Sequence, residues 1–139
     1  MKLACLSLVL AAVRGLQPPP YVERGVALRL PSESFFREES ALSRDLAVLA
    51  ASLVRAEREQ EQREERAPRA ELSVLDVMAS TGARAARYLA HAGATRVHAN
   101  EANEDGAARA ALLSNLADAR SAVARGAALA VSHLSLIYI

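Results

Sequence analysis

The sequence predicts an α/β domain, and three observations predict it. Residues Leu72 to Asn103 run as apolar strand, small-residue turn, short helix and second strand. A further helix pattern and an apolar tail follow. The 139 residues are 52% hydrophobic but only 4% aromatic, which makes for an alanine-rich core of closely packed helices. Strand, helix, strand and helix in that order imply parallel pairing through right-handed crossovers. The length suits one small domain, 21–139, with about three parallel strands and their helices, preceded by an arm of strand and helix.

The first residues differ in kind. Met1-Lys2 is a short basic start, Leu3 to Val13 an apolar run, and Val13-Arg14-Gly15 puts small or branched residues near a cleavage point. That is the plan of a signal or targeting segment over residues 1–15. An ordinary buried N-terminal segment is the competing reading. The run is too short to span a bilayer, so no stable membrane insertion is expected. Residues 16–20 then form a spacer stiffened by Pro18-Pro19-Pro20. The single cysteine, Cys5, leaves nothing downstream adapted to an oxidising compartment, so a plastid or mitochondrion fits better than secretion. Without targeting, the chain belongs in the nucleus or cytoplasm.

A net charge of +1 gives no global field toward nucleic acid or membrane. One cysteine excludes a disulfide framework and a cysteine zinc site. His91, His98 and His133 lack metal-ligand spacing, so no metal site is expected.

Tyr21 to Leu30 alternates loosely around Gly25, as a short strand or hairpin arm does, and Pro31 with Ser32-Glu33-Ser34 ends it. Phe35-Phe36 is the main aromatic pair, expected to plug the core. From about Glu39 a helix is indicated by Leu42, Leu46, Leu49 and Leu53, which repeat on one face with Val54 beside them. Arg55 to Arg66 is almost wholly charged or Gln, mixed in sign and paired at i,i+4, so the helix is expected to run on into solvent until Pro68 stops it. Ser73 to Val77 reads as a buried strand, Ala83 to His91 as a helix closed by Gly93, and Thr95 to Ala99 as the second strand. Asn103 is a candidate N-cap for a helix through Ala107, Ala111, Leu112 and Leu116. Val123 to Ile139 is apolar enough to supply a third strand.

The turn after Asp76 carries the chemistry. Ala79, Ser80, Thr81 and Gly82 are small enough for a ligand to approach the backbone closely, and Glu101 stands just past the second strand, where an acid takes two ribose hydroxyls. The glycine pattern is not G-x-G-x-x-G, so S-adenosylmethionine suits it at least as well as a dinucleotide. Other readings of the same residues stay open. Asp76 can cap the following helix, Arg84 and Arg87 can be solvated charges on its exposed side, and Arg44 can pair on the surface with Glu39 or Asp45.

Taken together, these residues resemble the N-terminal part of the tRNA guanine-26 N2-dimethyltransferase family, class I S-adenosylmethionine-dependent enzymes. Glu23-Arg24-Gly25-Val26-Ala27 and then Phe35-Phe36 look like its opening E-G-x-A stretch and aromatic pair. Ser43-Arg44-Asp45-Leu46 resembles its N-R-D-L motif, and Val74 to Tyr88 resembles L-D-x-x-A-x-T-G-x-R-x-x-R-Y, the most specific match. Asn100-Glu101-x-Asn103 and Asn115 are similar to the N-D at the second strand's end and the asparagine of the following helix. The likeness spans about residues 21 to 128.

The resemblance implies a Rossmann-like methyltransferase domain, here its first half, with S-adenosylmethionine as cofactor and tRNA as partner. It assigns cofactor binding to Arg44, Asp76, Ala79, Ser80, Gly82, Arg84, Glu101 and Ala102. Arg44 and Arg84 would meet the carboxylate with their guanidinium forks, and Glu101 the ribose. The adenine would lie at Ala127 and Ala128, where the family places an Asp-Ala pair, so Ala127 withdraws a partner from the adenine amino group. No catalytic residue is expected in this chain, because the family's D-P-F-G-type turn and its zinc-containing or tRNA-binding region fall beyond Ile139. The expectation is a methyltransferase acting on guanine N2 of tRNA, represented by its binding half and inactive alone. The alternatives are another class I methyltransferase or an inactive module that binds cofactor or RNA.

Overall fold

Two short strands, β1 (Tyr21–Glu23) and β2 (Val26–Leu28), pair antiparallel in a computed structural model that describes residues 20–65, 71–102, 106–122 and 128–132. Arg24 and Gly25 form the two-residue turn with φ of 50° and 83°, the left-handed pair that matches strand twist. Segment 1–15, spacer residues 16–19, Pro68, the Asn103 cap, Ala127 and the tail 133–139 lie outside the described residues.

A 3-10 turn over Glu38–Ser40 leads into α1 (Ala41–Glu65). Next come β3 (Ser73–Asp76), α2 (Ala83–His91), β4 (Arg96–Asn100), α3 (Gly106–Ala122) and β5 (Ala128–Ser132). The molecule is thus a mixed α/β structure with a parallel three-stranded sheet in the order β3-β4-β5. Val74 lies level with Val97 and Asp76 with Ala99, while Asn100 lies level with Ser132. Gly93, at φ 66°, closes α2, and the chain returns to the sheet where the Thr95 N–H donates to the Leu72 carbonyl at 2.9 Å.

The core lies on one face of the sheet. Val97 and Ala99 of β4 pack against Ala85, Ala86 and Leu89 of α2 and Leu112, Leu116 and Ala119 of α3, all buried, with Leu28 of the hairpin closing one end. Small side chains let α2 lie between α1 and α3 and be buried on nearly every side. The other face of the sheet carries Leu75 beside His98, both exposed.

The packing departs from the apolar pattern of the sequence in two places. The leucine stripe of α1 faces water: Leu42, Leu46, Leu49 and Leu53 are 55–67% exposed. The inward face of that helix is instead Arg44, Asp45, Val48 and Ala51, because α1 meets the body through ion pairs to the hairpin and α2. The aromatic pair does not plug the core either. Phe35 is 73% exposed under the Arg37 guanidinium, and only Phe36 packs inward, edge-to-face on Tyr21 at 5.2 Å. No helix of the described residues is long and apolar enough to cross a membrane.

This arrangement separates two kinds of leucine. Leu46→Gln or Leu49→Gln is expected to change the free energy of unfolding by no more than about 0.5 kcal/mol. Leu89→Ala, at a fully buried position, should cost about 2–5 kcal/mol. Urea unfolding of the three variants checks the contrast.

Candidate functional site

Where β3 ends, the chain turns through Val77–Gly82 before α2 begins. Ser80 and Gly82 both take positive φ, 47° and 79°. A serine in that conformation is strained, and two bonds hold it there. The Ser80 N–H donates to the Glu101 carboxylate at 2.6 Å, and its hydroxyl donates to the Phe35 carbonyl at 3.2 Å. Neighbouring Ala79 donates its N–H to the Asn100 carbonyl at 2.9 Å, which ties the turn to the end of β4. Gly82 is constrained from the other side. A Cβ there would stand 2.5 Å from Leu112 Cδ1, so the glycine serves helix packing as well as the turn.

Between this turn and the segment Phe35–Arg44 lies a cleft of about 270 Å³. That is near the lower end for small-molecule sites. Its polar wall is Arg37, Arg44, Asp76, Ser80 and Arg84, and Phe36 and Met78 add apolar surface. Asp76 is 3% exposed. Its Oδ1 accepts from Arg84 Nη2 at 2.9 Å, and its Oδ2 has no hydrogen-bond partner. A buried carboxylate oxygen without a donor is costly, and a cleft is where a ligand's N–H can supply one. Arg84 keeps its charge: burial works against it, and the Asp76 carboxylate more than offsets that.

Arg44 is held from behind. Its Nε and Nη2 donate to the two oxygens of Glu23 at 2.9 and 2.5 Å, and its guanidinium lies 4.6 Å over the Phe36 ring. Glu23 also accepts from Arg87 Nη1 at 2.9 Å. Arg87 Nη2 reaches Asp45 at 2.6 Å, and Asp45 takes Arg24 at 2.8 Å. Charges therefore alternate from Arg44 through Glu23, Arg87 and Asp45 to Arg24. The Arg44 hydrogen bond, against burial and with help from Arg87, holds the Glu23 carboxyl below its usual range. Arg24 and then Arg87 hold Asp45 down at about 2.

The structure brings Arg44, Asp76, Ala79, Ser80 and Arg84 to the lining of one cleft, with Gly82 in the same turn as Ala79 and Ser80. Glu101 reaches the turn through Ser80, while Ala102 is exposed just beyond it. Ala128 stands apart: it opens β5 level with Arg96, at the end of the sheet opposite the cleft. A parallel strand carries its ligand-facing end at its C-terminus, and Ala128 is the first residue of its strand. Among the described residues, no His, Cys, Asp or Glu side chains gather in a set that holds a metal ion.

Sequence reasoning missed Glu23 and misplaced Arg87, which is 4% exposed rather than on the solvent side of its helix. The paired spacing offered a signal: Arg87 follows Ala83, Ala85 and Ala86 on a helix whose small residues all pack inward. Asn115 is the other buried polar residue of consequence. It donates to the carbonyls of Thr81 and Arg29 and accepts the Arg29 N–H at 2.7 Å, so it pins the turn and the hairpin to α3. No known protein family, curated protein or solved structure matches the chain.

The turn and the ion pairs yield separate outcomes. Gly82→Ala should lower stability by about 1–3 kcal/mol through its left-handed φ and the Leu112 contact, read as a fall in the unfolding midpoint. Because Asp45 and Glu23 have depressed pKa values, their contribution is full above the ordinary carboxylate range and fades as pH falls through it, for Asp45 toward about 2. Asp45→Asn should flatten the fall in urea stability over that window.

Proposed function

We propose that this chain is the cofactor-binding part of a class I S-adenosylmethionine-dependent methyltransferase of the tRNA guanine-N2 type. The observation that carries the reading is the pairing of opposite charges across one small cleft at the end of β3. The unpartnered Asp76 Oδ2 suits an ammonium group, and the Arg84 and Arg44 guanidinium groups suit a carboxylate. Together they match the amino-acid arm of the cofactor. The parallel β3-α2-β4 order supports it further, since ligands of open α/β sheets bind beyond the carboxyl ends of the strands.

Glu101 follows β4 in the place where an acid meets ribose hydroxyls. One of its oxygens already accepts from Ser80, so it contributes to ribose binding from a fixed position. The cofactor, when bound, supplies the methyl group as an electrophile. The residues of this chain would bind and orient it: Asp76, Arg84 and Arg44 would hold the amino-acid arm at the end of β3. The transfer step itself is assigned to none of them, and the sequence holds no Asp-Pro pair of the kind that aligns a guanine amine in the family it resembles. The nature of the RNA partner rests on that resemblance alone.

Calorimetric titration with S-adenosylhomocysteine tests the cleft. Saturable binding is expected. Asp76→Asn and Arg84→Ala should each weaken it about tenfold or more, the scale of one lost charge-assisted hydrogen bond. Absence of binding in the wild type, or unchanged affinity in both variants, would overturn the assignment.

A further inference from the structure

We infer that Glu23 is a positioning residue for the cleft: it fixes Arg44 so that one edge of the guanidinium is presented to a ligand carboxylate. The inference rests on the cofactor reading above and names a residue outside the cleft that the site depends on. Of the five N–H groups of an arginine, those on Nε and Nη2 of Arg44 are committed to Glu23 and to the Arg37 carbonyl at 3.1 Å. The Nη1 pair makes no hydrogen bond among the described residues. Arg44 lines the cleft, so this uncommitted edge is the part left for a ligand.

The fork alone is not enough to fix an arginine, because a long side chain loses considerable rotamer freedom when held. Three further contacts supply the restraint. Phe36 lies against the guanidinium plane. Glu23 is itself gripped by Arg87, with both side chains at most 5% exposed. Arg87 is anchored on Asp45, next to Arg44 in the same helix, and Asp45 is fastened to Arg24 in the hairpin turn. Glu23 therefore has little freedom to follow Arg44 away from the cleft. A bidentate pair of this kind also leaves the guanidinium with one orientation, which a single contact does not. A plain brace between hairpin and helices would need no arginine at a cleft wall; here the terminal member of the charge chain lies at the wall and keeps two donors uncommitted.

Two ligands separate positioning from bracing. S-adenosylhomocysteine carries the amino-acid arm, and 5′-methylthioadenosine lacks it. In Glu23→Gln, affinity for the first should fall about tenfold while affinity for the second stays within about twofold of wild type. Arg44→Gln should show the same selective loss, and the double variant no further loss. Arg44→Lys keeps the charge without the fork and should show the same selective loss. If Glu23→Gln does not fold, Glu23→Asp, which draws the carboxylate back by one methylene, should show a smaller loss confined to the first ligand, and equal loss of affinity for both ligands in that variant overturns the role. Equal loss for both ligands marks a brace and overturns the positioning role, as does an unchanged ratio. If wild type binds neither ligand, the cofactor reading falls and takes this role with it. If wild type binds the first and Glu23→Gln binds it equally well, the cofactor reading stands and the positioning role alone is lost.

Discussion

Arg87 is a charge inside a core of alanines, and the structure is arranged to meet its needs. A buried guanidinium without partners is far too costly for a small domain, so α2 can pack only where carboxylates come to it. Glu23 arrives from the hairpin and Asp45 from α1. Each then takes a second arginine, Arg44 and Arg24, which leaves the chain of charges alternating and its ends at the surface or the cleft. One ionic requirement thus fixes the hairpin, α1 and α2 against each other. Arg87 Nε remains without an acceptor, so the satisfaction is not complete. Specific orientation, more than net stability, is what such a buried network supplies.

The second fixed point is the turn after β3. It is held by groups from four places: Glu101 and Asn100 after and within β4, Phe35 from the loop before α1, and Asn115 from α3. Asn115 also grips the backbone of Arg29 on both sides, so the turn and the hairpin share a support. The cleft therefore lies between two braced walls. One is ionic, behind Arg44; the other is made of backbone hydrogen bonds, behind Ser80. Preorganisation of this sort reduces the ordering that a ligand must impose.

Much of this was legible in the residues. The order of elements from Ser73 to Ala122, the hairpin around Gly25 and the close of α2 at Gly93 follow from local pattern, because each rests on near neighbours in sequence. The gathering of Arg44 with Asp76 and Arg84 was legible only through motif resemblance, since 32 residues (76 − 44) separate the first two. What was not legible depended on partners distant in the chain. Arg87 looked like a solvated charge because its acids, Glu23 and Asp45, sit on other elements. The family resemblance alone assigns Ala128 to the adenine, and which end of the strand it occupies is decided by the β4-β5 register, which sets it level with Arg96.

The leucines of α1 show hydrophobic pattern losing to electrostatics, and magnitudes explain why. Turning that helix over would bury four leucines, worth about 1.5–3 kcal/mol each if fully covered. It would also swing Arg44 and Asp45 outward and strip Glu23 and Arg87 of a partner each, and breaking a buried pair costs about 3–5 kcal/mol. Full coverage would also require an apolar surface beneath the stripe. Among the described residues, α1 borders α2 and not the parallel sheet, so the inverted helix would gain only part of the leucine term. The ion pairs therefore decide which face of α1 turns inward. The leucines of α1 thus stay outward, held there by the pairs that Arg44 and Asp45 make on the opposite side of the helix.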